Sequence, residues 1–100
     1  MNRQELVQAL AVSRGLPRSA ARDVVDTLLG TIEEALIEGG RVELRGFGSF
    51  STRTAKAYTG HVPGSLDPLP IPQRRVVVFK PSKALADTIA AAEDPFRDDP

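Results

Sequence analysis

The sequence contains no cysteine and no tryptophan, only one histidine, and no long run of hydrophobic residues. Without cysteine the chain has no disulfides, no thiolate ligands for zinc and no cysteine nucleophile. A single histidine also excludes a pair of histidine metal ligands. The N-terminus lacks the apolar stretch of a signal peptide, and no segment is long enough to span a membrane. We therefore expect a cytoplasmic protein without a membrane partner, metal, cofactor or small-molecule substrate.

No group of residues in the sequence is typical of an active site. Glu34 and Glu38 are four residues apart on the polar side of a predicted helix, where like charges indicate solvent exposure rather than catalysis. Gly46 and Gly48 lack the third glycine of a dinucleotide-binding loop. Arg45 and the residues after it begin like an RNA-recognition strand but depart from that pattern after Gly48. We expect that the protein is not an enzyme.

Charge is unevenly distributed along a chain of 100 residues whose formal net charge is zero. Residues 41–83 hold eight basic and two acidic side chains, whereas both flanking segments are acidic. If the middle segment forms one face, that face would suit a phosphate-bearing partner. The alternative is a solvated basic sheet with no partner.

The length of the chain predicts a single small domain.

Apolar spacing predicts two helices in the first forty residues. The first covers 2–14, where Asn2 begins a variant of the capping box, and Gly15 and Pro17 separate it from the second. The second helix covers 18–38, and its apolar stripe is wider than one short helix can bury. This stripe predicts a partner chain, which would also stabilise a small fold that has no disulfides.

Period-two patterns after residue 40 predict three strands. Residues 41–45 alternate apolar and charged side chains, residues 49–58 are rich in threonine, and residues 74–80 include a continuous apolar run. The short connection between the first two strands indicates an antiparallel hairpin. Ser82 is then expected to cap a short helix over 83–92.

Residues 59–72 include four prolines and two glycines, a composition that excludes a helix or a central strand. A disordered linker is one interpretation. Because strands flank this segment, we favour an extended two-stranded arm over about 55–74. The acidic residues 93–100 are predicted to form a disordered tail. One hypothesis is that this tail folds back onto the basic segment and competes with phosphate.

Three motifs carry a family resemblance. They are Asn2-Arg3-x-Glu5-Leu6, then Gly46-Phe47-Gly48-Ser49-Phe50 followed by Arg53, and Phe79-Lys80-Pro81-x-Lys83-Ala84-Leu85. Together with Thr59-Gly60, Pro63 and Ile71-Pro72 in the arm, they resemble the HU and integration host factor family of bacterial DNA-bending proteins. The resemblance covers residues 1–92, and the combination of the second and third motifs is its most specific part.

The resemblance implies an α+β fold in an intertwined dimer, formed with itself or with a paralogue. Each chain would contribute a helix-turn-helix base, a three-stranded antiparallel saddle with an extended β-arm, and a short C-terminal helix. The implied function is architectural, largely sequence-independent binding and bending of double-stranded DNA in the nucleoid. The saddle would neutralise phosphates, and a proline at the arm tip would wedge into the minor groove. The expected DNA-binding residues are Arg3, Arg45, Arg53, Lys56, Tyr58, His61, Pro63, Arg74, Arg75, Lys80 and Lys83.

The arm departs from the family pattern. The family usually carries arginine where this chain has Ala55, Tyr58 and His61, and Pro68 and Pro70 replace residues that would pair the arm strands. We therefore expect weaker or altered duplex binding. The alternative is a dimeric interaction or scaffold protein that keeps the fold and binds little DNA.

Three phenylalanines leave two interpretations open. Phe47, Phe50 and Phe79 could stack on bases, but phenylalanines at strand positions are more often part of a core. We expect them in the core.

Overall fold

The structure is a computed structural model that describes residues 1–96. It contains two compact units, Met1–Glu38 and a second that begins at Gly39. The elements in chain order are α1 (Arg3–Arg14), α2 (Arg18–Ile37), β1 (Val42–Leu44), β2 (Gly48–Ala55), β3 (Tyr58–His61), β4 (Pro68–Ile71), β5 (Arg74–Pro81) and α3 (Lys83–Ala91). This α+β order confirms the predicted fold class. The last four residues of the predicted tail, 97–100, lie outside the described residues.

The helix ends follow local signals in the sequence. Asn2 Oδ1 accepts a hydrogen bond from the backbone N–H of Glu5 at 2.9 Å, which caps α1. Gly15 ends α1 with a φ of 63°, a left-handed conformation that disfavours residues with a Cβ. Ser82 Oγ accepts from the N–H of Leu85 at 3.0 Å and caps α3. No helix within residues 1–96 is long and apolar enough to cross a membrane.

The helical unit has a very small core. Among the described residues, the buried hydrophobic side chains are Val7, Ala11, Ala21 and Val25, all in α1 and α2. Beside them lies an apolar groove lined by Leu6, Ala9, Leu10, Ser13, Val24, Val25, Leu28 and Leu29. Leu28 remains 57% exposed in the single chain. The wide apolar stripe predicted for α2 is therefore present, and part of it remains exposed in the single chain.

The second unit contains two antiparallel sheets. The three-stranded sheet has the order β1-β2-β5, and β3 pairs with β4 in a separate two-stranded ribbon, here called the arm ribbon. The sequence predicted one strand over 49–58, whereas the structure divides that segment between β2 and β3. The proline-rich segment does form the predicted two-stranded arm rather than a linker.

The division between the two sheets follows from proline. Ser82 donates its N–H to the carbonyl of Phe47 at 2.9 Å. Hydrogen-bonded and non-hydrogen-bonded pairs alternate along an antiparallel ladder. This one bond therefore identifies the hydrogen-bonded pairs between β2 and β5. Continued in that phase, the ladder would require a backbone donor from Pro72, which has none. The ladder instead stops at Ala55↔Arg74 and resumes at Tyr58↔Ile71.

The interruption changes the hydrogen-bonding phase of the ribbon. Pro68 and Pro70 lie within β4 and pair with His61 and Thr59. Since proline has no N–H, the donors that β4 offers to β3 must come from the alternate residues, Leu69 and Ile71. The prolines therefore leave the arm ribbon paired, and they remove donors only from its outer edge, which protects that edge from pairing with further strands.

Candidate nucleic-acid interface

One face of the three-stranded sheet collects basic side chains. Residues that pair across antiparallel strands present their side chains to the same face. The register pairs Arg53 with Val76, Lys80 with Ser49 and Arg74 with Ala55, at alternate positions along both strands. Arg53, Arg74 and Lys80 consequently share one face, here called the cationic face, and all three are exposed. From Lys80 to Arg74 the face extends about 20 Å along β5.

The opposite face of the sheet is aromatic. Phe50 pairs with Phe79, with ring centroids 4.8 Å apart, and Phe47 lies 5.7 Å from Phe79. Phe47 and Phe50 therefore both pack on Phe79 on the side away from the cationic face, which favours the core interpretation over base stacking. Phe79 remains 42% exposed in the single chain, so this aromatic cluster still has surface to bury.

Gly48 belongs to this aromatic cluster and not to a phosphate-binding loop. A Cβ at Gly48 would lie 2.6 Å from the carbonyl oxygen of Lys80 and 2.8 Å from the ring of Phe79. No side chain fits there, because real Cβ atoms do not approach other atoms so closely. The glycine pair around Phe47 is thus explained by close packing and by the positive φ of Gly46.

Arg75 lies away from the other sheet cations. It pairs with Thr54 and donates a hydrogen bond from its guanidinium to Thr52 Oγ1 at 3.0 Å. Since Arg75 follows Arg74 directly, the two side chains leave the strand on opposite faces. The structure therefore places Arg75 on the same face as the aromatic cluster.

Two further predicted cations are held by carboxylates. Arg3 pairs with Asp26 at 3.0 Å, and Lys83 pairs with Asp87 at 2.7 Å, one helical turn away. All four side chains are largely solvent-exposed, so each pair contributes at most about 1 kcal/mol and can exchange partners readily. A phosphate would compete with an aspartate for each of these cations.

The turn after β1 adds a polar groove. Arg45 lies in this turn and lines the groove together with Lys80, Ser82 and Arg41. Arg41 falls within the basic segment but was not among the predicted DNA-binding residues. Its guanidinium is 3.0 Å from Glu43 and 3.5 Å from Ser49 Oγ. The alternation of residues 41–45 already places Arg41 and Glu43 on one face, whereas the proximity of Arg41 to Ser49 depends on the pairing of β1 with β2.

The arm tip is a tight turn with Pro63 at its apex. The N–H of Ser65 donates to the carbonyl of Val62 at 3.0 Å, and Gly64 has a φ of 80°. Proline followed by a glycine of positive φ is the signature of a type II turn. Pro63 is exposed, and Leu66 beside it is 97% exposed. The tip therefore presents apolar groups to the surroundings.

The arm ribbon differs from the sheet in charge. Residues 57–73 contain no lysine or arginine and one aspartate, and His61 is exposed at the end of β3. Lys56 is exposed between the two sheets, at the base of the arm. Tyr58, at the start of β3, lies with its ring centroid 5.7 Å from the Arg74 guanidinium carbon. The predicted site residues of the arm are therefore largely uncharged.

Known proteins are similar to this chain in sequence and in fold. The family model described as bacterial DNA-binding protein matches residues 1–90. The DNA-binding protein HU of Thermus thermophilus is 40% identical over 89 residues, which cover 89% of this chain and 92% of that protein. The integration host factor alpha subunit of Jannaschia sp. is 34% identical over 91 residues, 91% of each chain.

Solved structures agree with the sequence matches. A cocrystal structure of Anabaena HU with DNA is similar with a TM-score of 0.82 at 37% identity, and it covers 92% of this chain and 100% of that one. HU from Thermotoga maritima is similar with a TM-score of 0.62 at 31% identity, covering 89% of this chain and 98% of that one. The chain therefore belongs to the HU and integration host factor family of bacterial DNA-binding proteins, which are not enzymes.

Proposed function

We propose that this chain acts as a dimer that binds double-stranded DNA with little sequence preference and bends it in the nucleoid. The observation that carries the proposal is the cationic face, because the strand register brings Arg53, Arg74 and Lys80 to one side of the sheet. Cations on a continuous surface bind phosphates and release counterions, which gives affinity without base readout. The DNA in the Anabaena HU cocrystal supports this choice of partner.

The dimer is supported by apolar surface in both units. A single chain leaves the groove of the helical unit and the aromatic cluster of the sheet partly exposed to solvent. A core of four buried hydrophobic side chains among the described residues is too small to stabilise a domain of this size. A second copy of the chain, or a paralogue, would bury these surfaces.

Bending is assigned to the arm tip. Pro63 is exposed at a rigid turn, and an apolar ring of this kind can enter between two base pairs from the minor groove and unstack them. Sequence preference would then reflect how easily a base step deforms. Because residues 57–73 lack cations, the arm would add little phosphate binding, and the affinity would depend mainly on the cationic face.

The test is duplex binding by fluorescence anisotropy across a salt series. Log affinity is expected to fall linearly with log salt, with a slope of roughly −0.9 per neutralised phosphate. Arg53→Gln should reduce the magnitude of that slope by roughly 1.8, because the dimer holds two copies. Arg14→Gln, which removes the same charge from the end of α1, is the matched control and should leave the slope nearly unchanged.

A second candidate function has its own supporting observation. Arg3 and Lys83 are held by aspartates, and the arm lacks cations, so a dimeric scaffold protein with little DNA binding would be consistent with these features. The same titration separates the two functions. A folded dimer that does not bind duplex at low salt would reject the architectural proposal in favour of the scaffold.

A further inference from the structure

Tyr58 presents an aromatic ring at the base of the arm. A Cβ at Gly60 would lie 3.7 Å from the Tyr58 ring and 3.9 Å from Ile71, so the ring lies along the ribbon where Gly60 has no side chain. The ring therefore lies beside the arm backbone at Gly60. Tyr58 nevertheless remains 56% exposed, which leaves ring surface open to a ligand.

A cation lies beside this ring. The guanidinium carbon of Arg74 is 5.7 Å from the Tyr58 ring centroid, within the range of a cation–π contact. Arg74 pairs with Ala55 at the end of the cationic face, and Tyr58 pairs with Ile71 where the ladder resumes. The contact with Arg74 therefore places the Tyr58 ring beside the end of the cationic face.

An exposed aromatic ring next to an arginine is the combination that binds single-stranded nucleic acid, because every base has a face for stacking and every nucleotide has a phosphate. An intact duplex offers no such face, since its bases are covered by their neighbours. An unpaired nucleotide in a bulge or gap does offer one.

We propose that Tyr58 and Arg74 form a binding site for one unpaired nucleotide, with the base stacked on Tyr58 and its phosphate at Arg74. The site rests on the proposed function, since the cationic face would hold the flanking duplex. It would make the chain recognise the unpaired base itself and not only the flexibility of interrupted DNA.

The experiment compares two duplexes that differ by one base. Each carries a one-nucleotide bulge, and in the second duplex the bulged nucleotide is abasic, so that backbone and flexibility are retained. Binding is measured by anisotropy of labelled DNA. The base-containing bulge should bind at least about fivefold more tightly than the abasic bulge, the low end of stacking on one ring.

Intrinsic fluorescence gives a second measurement. The chain has one tyrosine and no tryptophan, so its tyrosine emission comes from Tyr58 alone. The base-containing bulge should quench this emission and the abasic bulge should not. Free N-acetyltyrosinamide mixed with the same DNA gives the loss of emission that is due to DNA absorbance, and this loss is subtracted.

Three variants define the contact. Tyr58→Phe keeps the ring and should keep the preference, whereas Tyr58→Leu should reduce it to within about twofold of unity. Thr59→Ala is the matched control, because Thr59 is exposed on the next residue of β3 and points to the other face. Thr59→Ala should also leave the affinity for intact duplex nearly unchanged.

Each outcome decides between the proposals. Equal affinity for the two bulges, with normal binding to intact duplex, would overturn the nucleotide site and leave the proposed function standing. A preference that survives in Tyr58→Leu would also overturn the site, because the base would then be recognised elsewhere. Absence of binding to every duplex at low salt would reject both proposals.

Discussion

Arg3 of α1 donates a hydrogen bond to Asp26 of α2, with 3.0 Å between Nη1 and Oδ1. The side chains are 62% and 48% exposed, so the pair contributes at most about 1 kcal/mol to folding. A DNA phosphate would have to displace the aspartate before it could bind this guanidinium. The ion pair therefore lowers the affinity that Arg3 can contribute.

Asp26→Asn should tighten duplex binding by up to about fivefold per chain, because a surface ion pair contributes up to about 1 kcal/mol. For the same reason, the substitution should lower the free energy of unfolding by less than about 1 kcal/mol. Anisotropy titration and urea unfolding measure the two effects. Asp23→Asn is the control, since it removes the same charge from α2 without breaking the Arg3 pair. Equal gains in both variants would attribute the effect to net charge and not to the release of Arg3.

The local parts of the fold could be predicted from the sequence. Asn2, Gly15 and Ser82 define helix ends because a cap depends on residues only a few positions away. The break between β2 and β3 was not predicted. It arises where Ala57 would have required a donor from Pro72, and only the pairing of two distant segments brings those residues opposite each other.

The candidate site shows the same limit. Charge counting found the basic segment, and the alternation of strand residues alone separates Arg74 from Arg75. Neither observation could place Arg53 and Lys80 on the same face, because that requires the register of β2 against β5. The contact of Arg3 with Asp26 depends on how α1 packs on α2, which no local pattern specifies.

The alternating prolines of β4 predict unequal effects of two substitutions. Leu69→Pro would remove a backbone donor that faces β3. Because a ladder hydrogen bond contributes about 1 kcal/mol, the hydrogen-exchange protection of residues 58–61 should fall by about fivefold or more. Pro70→Ala restores a donor on the outer edge and should leave that protection nearly unchanged. The β2–β5 ladder is separate and serves as an internal reference. Equal protection in the two variants would show that the phase assigned to the arm ribbon is wrong.

Removal of the apical proline should reduce bending more than binding. Pro63→Ala keeps the turn, because the conformation at that position suits most residues, but it removes the ring that would enter the base stack. The end-to-end distance of a doubly labelled duplex, measured by energy transfer, should lengthen toward that of free DNA. Leu66→Ala removes an exposed apolar side chain from the same tip and should have little effect. If both variants straighten the DNA equally, bending does not depend on the proline.

The turn that holds Pro63 should itself be sensitive to Gly64. Gly64 has a φ of 80°, where a Cβ costs about 1–2 kcal/mol, although nothing within 4 Å would clash with it. Gly64→Ala should therefore reduce DNA bending, because the tip would no longer be held in this turn. The free energy of unfolding of the dimer should change by less than the cost of the Cβ at this φ. Energy transfer and urea unfolding separate these effects. Unchanged bending would indicate that the wedge does not need this turn.

Restoring charge to the arm should increase affinity and its dependence on salt. The double variant Ala55→Arg with His61→Arg adds two cations to the arm at positions where the family resemblance implies arginine, and Ala55 pairs with Arg74 at the end of the cationic face. Each new phosphate contact should steepen the slope of log affinity against log salt by roughly 0.9. The matched control is Ala55→Gln with His61→Gln, which adds length and polarity without charge. If the arginine variant binds with unchanged affinity and slope, the arms do not lie along the phosphates, and cation depletion is not what limits duplex binding in this chain.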